Sequence, residues 1–122
     1  MRTTTFVCLF LLLPASSLFA GTANANFKLT SGMLIASTIL DVETSMRAVD
    51  SCRDCSEANP VFSRATMKGR LPLYLMHGGI DAAAILGSYY LKKSNHRYWW
   101  MIPVAMSTAH FAAGGANLRF VF

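Results

Sequence analysis

Histidine and aspartate side chains lie within largely apolar segments of this 122-residue sequence, at Asp41, His77, Asp81 and His110. Histidine and carboxylate side chains are common ligands of transition metals, and a carboxylate beside a histidine also orients the ring of a general base or proton carrier. Burying such groups is costly unless they pair with one another or with an ion. The residue types therefore predict either a functional polar site or a set of mutually satisfied polar groups.

Helical spacing gathers these residues on polar faces, because successive residues of a helix turn by about 100°. The first of three predicted helices would carry its polar side chains at Thr30, Ser37, Thr38, Asp41, Thr44 and Ser45. The second would carry Tyr74, His77, Asp81, Ala84 and Ser88, and the third Pro103, Ser107, His110, Gly114 and Asn117. We therefore expect a polar cluster of Asp41, His77, Asp81, His110 and Asn117, with the two histidines within reach of one ion or one hydrogen-bond network.

Two functions fit such a cluster, and the sequence leaves both open. In the first, the polar groups hold the helices together, and the chain is an interaction or assembly subunit. In the alternative, His77 and His110 provide nitrogen ligands, and Asp41 and Asp81 provide oxygen ligands, for a divalent metal such as zinc, or the same groups relay protons. Whether any reaction is catalysed is undecided at this level.

Three hydrophobic segments must position these residues, over about 27–49, 71–91 and 98–118. The last two are long enough, as helices, to cross a bilayer core, which takes about 20 residues. The first is interrupted by Asp41, Glu43 and Arg47, of which the last two form a favourable pair four residues apart. Pro103 is expected to bend the third helix. The predicted fold is all-α, a single three-helix transmembrane domain over 26–122.

The N-terminal residues have the pattern of a signal peptide. Arg2 is followed by an apolar run over 6–13 and then by small residues, with cleavage expected after Ala25 or after Ala20. An exported N-terminus and a small excess of basic residues on the other side predict a multi-pass inner-membrane protein. In this topology the loop over 50–70 is cytoplasmic.

That loop contains the remaining candidate residues. Cys52 and Cys55 form an isolated C-x-x-C, without the second pair that a zinc site would need and without the βαβ context of a redox pair. Glu57 and Asn59 precede Pro60 in a turn. Glu57 could fold back to the polar cluster or remain solvated.

Composition limits the partners. Hydrophobic residues make up 53% and charged residues 14%, with a net charge of +5 that is thinly spread, which argues against disorder and against nucleic-acid binding. A lipid bilayer is the expected surrounding. Small residues recur at every fourth position on two helices, a pattern that permits close contact with a second copy or another membrane protein. They are Gly79, Ala83, Gly87, Ala105, Ala109 and Ala113.

Several of these motifs occur together in a known pattern. Asp41-x-x-Thr44, Glu57-x-Asn59-Pro60 and a late His110 followed by Asn117 and Arg119 resemble a group of small, functionally uncharacterised bacterial multi-helix membrane proteins. The resemblance covers about residues 27–122. It implies a helical membrane architecture and the importance of these residues, and it carries no assigned activity.

Overall fold

The computed structural model describes residues 25–51 and 60–121, and all regular secondary structure in these ranges is helical. The helices are α1 (Ala25–Ser51), α2 (Pro60–Met67), α3 (Arg70–Lys93) and α4 (Met101–Leu118). Helix α1 packs most extensively along α4 and also contacts α3, while α3 contacts both α2 and α4. The all-α helical bundle predicted from the sequence is confirmed.

One helix lies where the sequence predicted only loop. Helix α2 begins at Pro60, a favourable first helical position because proline has no N–H to leave unsatisfied. It ends in a tight turn, in which Gly69 has a φ of 102°, a conformation that favours glycine. The turn leads directly into α3, and α2 is thereby held against it.

The last helix begins later than predicted, at Met101 rather than at residue 98. Tyr98, Trp99 and Trp100 belong to the turn between α3 and α4. Pro103 therefore occupies the first turn of the helix, where its missing N–H removes no intrahelical hydrogen bond. This position gives Pro103 no reason to bend the helix interior, contrary to the expectation above.

The interior of the described bundle is more polar than apolar. Ten polar or charged residues are buried against seven hydrophobic ones. The polar ones are Ser37, Thr38, Asp41, Thr44, Ser45, Thr66, His77, Asp81, Ser88 and Ser107. The apolar core is small, formed by Val42, Met46, Ala65 and Leu73. Many large hydrophobic side chains point outward instead, including Leu29, Leu71, Leu75, Leu86 and Met101.

The three membrane spans predicted from the sequence are not supported. Among helices α1 to α4, none is both long enough and apolar enough to cross a membrane. Polar residues within each long helix lower its mean hydropathy: they include Asp41 in α1, His77 and Asp81 in α3, and His110 and Asn117 in α4. The predicted signal segment up to residue 24, with the alternative cleavage site at Ala20, lies outside the described residues, as do Cys52, Cys55, Glu57 and Asn59.

Candidate metal centre

Three helices bring their polar faces together at the middle of the bundle. Asp41 comes from α1, His77 and Asp81 lie one turn apart on α3, and His110 comes from α4. The side chains of Asp41, Asp81 and His110 are only 10%, 7% and 12% exposed, and His77 is also buried. The polar faces predicted from helical spacing are therefore the inward faces of α1, α3 and α4.

His110 lies between two carboxylates. Its Nδ1 is 2.7 Å from Asp41 Oδ2, a short hydrogen bond, and its Nε2 is 3.6 Å from Asp81 Oδ1. Because the two nitrogens are on opposite sides of the imidazole ring, each faces a different aspartate. The ring thus links α1 to α3 through α4.

His77 completes the cluster. Its ring centroid is 5.2 Å from that of His110, so the predicted proximity of the two histidines is confirmed. One ligand atom each from Asp41, His77 and His110 all lie within 4.8 Å of one another. The other face of His77 stacks on Phe62 of α2, with centroids 4.1 Å apart and planes inclined by 12°. The short helix α2 therefore covers one side of the site.

A second set of polar side chains holds the two aspartates. Thr38 Oγ1 donates to Asp81 Oδ2 at 2.6 Å, and Ser45 Oγ lies 3.4 Å from Asp41 Oδ1. Asn117 donates to Ser45 at 2.8 Å, so this predicted cluster member supports Asp41 through Ser45. Asp81 Oδ1 is buried and accepts no hydrogen bond from the described residues. It nevertheless faces His110 Nε2 at 3.6 Å, and this contact helps to raise the pKa of His110.

The surroundings of the two histidines shift their pKa values in opposite directions. The hydrogen bond to Asp41, followed by the contact with Asp81, raises the pKa of His110 from 6.5 to about 9. Burial lowers the pKa of His77 below 6.5, and the neighbouring His110 lowers it further, although both aspartates oppose this. At neutral pH the metal-free site therefore contains a protonated His110 and a neutral His77, whose nitrogen lone pair is available to an ion.

Close contact between α1 and α4 is made by a glycine beside the site. A Cβ atom added at Gly114 would lie 3.2 Å from Leu40 Cγ and 3.3 Å from the backbone nitrogen of Asp41. The predicted small-residue stripes do not make this contact: Gly79, Ala83, Ala105, Ala109 and Ala113 are exposed in the single chain. Within the described bundle, the close-packing position and the polar face thus coincide at Gly114.

Some contacts at the site were not foreseen. Glu43 was expected to pair with Arg47 along α1, but it accepts a hydrogen bond from Tyr74 of α3 at 2.8 Å and lies 3.9 Å from Arg70. The Phe62 stack and the bond from Thr38 to Asp81 were also missed. Thr38 lay on the predicted polar face, but an i,i+4 pattern within one helix gives no signal for its partner on another. Phe62 lay in a segment predicted as loop.

Comparison of the chain with protein-family models, curated proteins and solved structures found no match. The resemblance to small bacterial membrane proteins therefore stays a prediction.

Proposed function

We propose that the protein binds one divalent transition-metal ion, of which zinc is the best fit, at the cluster of Asp41, His77, Asp81 and His110. The observation that carries the proposal is that ligand atoms of Asp41, His77 and His110, from three helices, all lie within 4.8 Å of one another. Asp81 Oδ1 lies 3.6 Å from His110 Nε2 beside them. The residue types alone did not decide between a metal site and a set of structural polar contacts.

Charge balance supports a divalent ion. Two aspartates bring two negative charges, and a protonated His110 neutralises only one of them. When a divalent ion displaces the His110 proton, two positive charges face two carboxylates, with both imidazoles neutral. A buried site without net charge avoids the large cost of burying an unpaired ion.

The donor atoms support a transition metal rather than calcium or magnesium. Calcium and magnesium are bound mainly by oxygen ligands, whereas imidazole nitrogens together with carboxylate oxygens suit zinc and similar ions. Three or four protein ligands would fill or nearly fill a tetrahedral coordination sphere. The role of the ion, structural or catalytic, depends on whether one position stays open to another molecule.

Calorimetric titration of the metal-free full chain with zinc tests the proposal. The wild type is expected to bind one ion per chain, and His77→Ala to weaken binding at least tenfold. His96→Ala is the matched control, since His96 is exposed in the α3–α4 turn and should leave affinity unchanged. Weak or absent zinc binding by the wild type, or equal binding by His77→Ala, would overturn the proposal.

A second role, as an assembly subunit, is favoured by the outer surface. Large hydrophobic side chains and the small-residue stripe of α3 are exposed around a polar interior, the reverse of the usual distribution in water. We propose that a second copy of the chain covers the stripe at Gly79 and Ala83.

The mass of the purified protein in detergent, measured by light scattering, should fall to that of a monomer in Ala83→Arg but not in Ala82→Arg. A monomeric wild type would contradict the proposal that a second copy covers this surface.

A further inference from the structure

One end of the bundle combines basic side chains with exposed aromatic ones. The start of α1, the end of α3 and the turn between α3 and α4 meet there, where Phe27 packs against Tyr89 and Trp99 with ring centroids 6.1 and 5.8 Å apart. We propose that this end docks on an anionic phospholipid bilayer. Its basic side chains would contact the headgroup phosphates, and its aromatic and aliphatic side chains would lie between the headgroups. The proposal is independent of the metal site.

The charge of this end has a single sign. Among the described residues, its basic side chains are Lys28 on α1, Lys92 and Lys93 at the end of α3, and Arg97 in the turn. The sequence contains no aspartate or glutamate before Asp41 and none after Asp81. Both of these aspartates lie in the middle of the bundle, and about 16 Å of helix separates Asp81 from Lys92. At the opposite end, by contrast, Glu43 and Asp50 lie among the basic residues.

Large apolar side chains are exposed between these charges. Tyr98 and Trp100 are each 44% exposed, and Met101, the first residue of α4, is 51% exposed. Leu29 and Tyr90 are also exposed at this end. Tryptophan and tyrosine are enriched at membrane–water interfaces, because each ring has an apolar body and a polar atom. Basic residues alone would fit any acidic partner, whereas this combination fits a surface that offers phosphates and acyl chains together.

The turn that carries the aromatic residues has a fixed shape. Ser88 Oγ donates a hydrogen bond to the backbone carbonyl of Trp99 at 2.6 Å. Asn95 has a φ of 55°, a left-handed conformation that asparagine tolerates better than most residues. Arg97 lies over the ring of Tyr98, with its Cζ 4.7 Å from the ring centroid. Because the turn is already ordered, docking requires little further loss of conformational freedom.

Tryptophan fluorescence reports on this end directly, because the chain contains two tryptophans, Trp99 and Trp100, and both are in the turn. The full chain is reconstituted into vesicles of phosphatidylcholine, alone or mixed with phosphatidylglycerol, and quenching by brominated lipids is measured. We expect stronger quenching and blue-shifted emission in the anionic vesicles. Salt at about 1 M should reverse both effects, because it reduces the range of charge interactions to about 3 Å.

Two double variants separate a local effect from a change in net charge. Lys93→Gln, Arg97→Gln should lower the ratio of docked to free protein about 25-fold, roughly fivefold for each basic residue next to an anionic surface. Lys68→Gln, Arg119→Gln is the matched control, since it removes the same charge from exposed positions at the opposite end. The control should leave the ratio almost unchanged.

Trp100→Ser tests the apolar contribution, with Trp99 as the remaining reporter. It should weaken docking about tenfold or more, because a large aromatic side chain is lost from the interface. Equal quenching in neutral and anionic vesicles, an equal loss in the two double variants, or undiminished docking of Trp100→Ser would overturn the proposal. A soluble polyanion such as polyglutamate that produced the same blue shift would identify an acidic macromolecule, rather than a bilayer, as the partner.

Discussion

His110 is the side chain on which the site depends most, because it joins Asp41 of α1 to Asp81 of α3. Its pKa is raised to about 9 in the folded chain, from 6.5 in the absence of these contacts. Since the folded protein holds this proton more tightly than the unfolded chain, the ion pairs stabilise the metal-free fold while His110 is protonated. The stabilisation is fully present below pH 6.5 and is lost as the pH rises through about 9.

The resulting prediction concerns the metal-free protein in the presence of a chelator. The free energy of unfolding should fall by up to about 3 kcal/mol between pH 6.5 and pH 10, from the size of the shift in the pKa of His110. Denaturant unfolding across this range measures it. In His110→Gln this alkaline loss should disappear, and an identical pH profile in wild type and variant would contradict the raised pKa.

The two acidic residues of α1 should differ in their effect on stability. Asp41 is buried against His110, whereas the Glu43 side chain is 22% exposed and bonds Tyr74 near the surface. Asp41→Ala leaves a charged histidine poorly compensated and is expected to cost about 3 kcal/mol. Glu43→Ala removes one hydrogen bond and a weak ion pair and should cost about 1 kcal/mol. Thermal unfolding of the two variants compares them, and equal losses would show that Asp41 is not the buried partner.

At the scale of elements, the site depends on how closely α1 and α4 approach. Gly114 sets that distance, because its Cα faces the backbone of Asp41. Gly115 is adjacent, exposed and has nothing near enough to meet an added methyl group. The two glycines thus form a matched pair in one helix.

Gly114→Ala should force the helices apart by a few tenths of an ångström and destabilise the bundle by about 1–3 kcal/mol. It should also weaken zinc binding, since His110 and Asp41 move relative to each other. Gly115→Ala is expected to be neutral or to stabilise the helix by about 0.5–1 kcal/mol, because alanine is the better helix former. Chemical denaturation of both variants measures the difference, and a stabilised Gly114→Ala would show that the contact is not limiting.

At the scale of the whole molecule, the sequence predicted much of what defines the site. The 100° periodicity placed Asp41, His77, Asp81 and His110 on inward faces, because polar residues at helical spacing must turn away from an apolar surface. It did not predict α2, since a helix of eight residues that begins at a proline carries too few periodic positions. Nor did it predict the 3.6 Å gap at Asp81, which arises from how α3 packs beside α4 and has no local signal.

The length of the apolar segments predicted membrane-spanning helices, and this prediction is less well supported than the one from helical periodicity. Residues 71–91 and 98–118 are interrupted by histidines, aspartate, glycines and asparagine, and α3 and α4, which form there, do not reach the apolar character of a membrane span. Among them, His77, Asp81 and His110 meet in the interior. The histidines and the aspartate of these two segments therefore belong to one buried cluster, and the function of the protein depends on that cluster.

The metal content of the full chain, purified without added metal and without chelator, tests this account most directly. Elemental analysis should find close to one divalent transition-metal ion per chain in the wild type and in His96→Ala. It should find almost none in the double variant His77→Ala, His110→Ala, provided that circular dichroism shows the helices to be retained. A metal-free wild type that also fails to take up zinc, or a double variant that retains its metal, would contradict the assignment of the Asp41, His77, Asp81 and His110 cluster as a metal site.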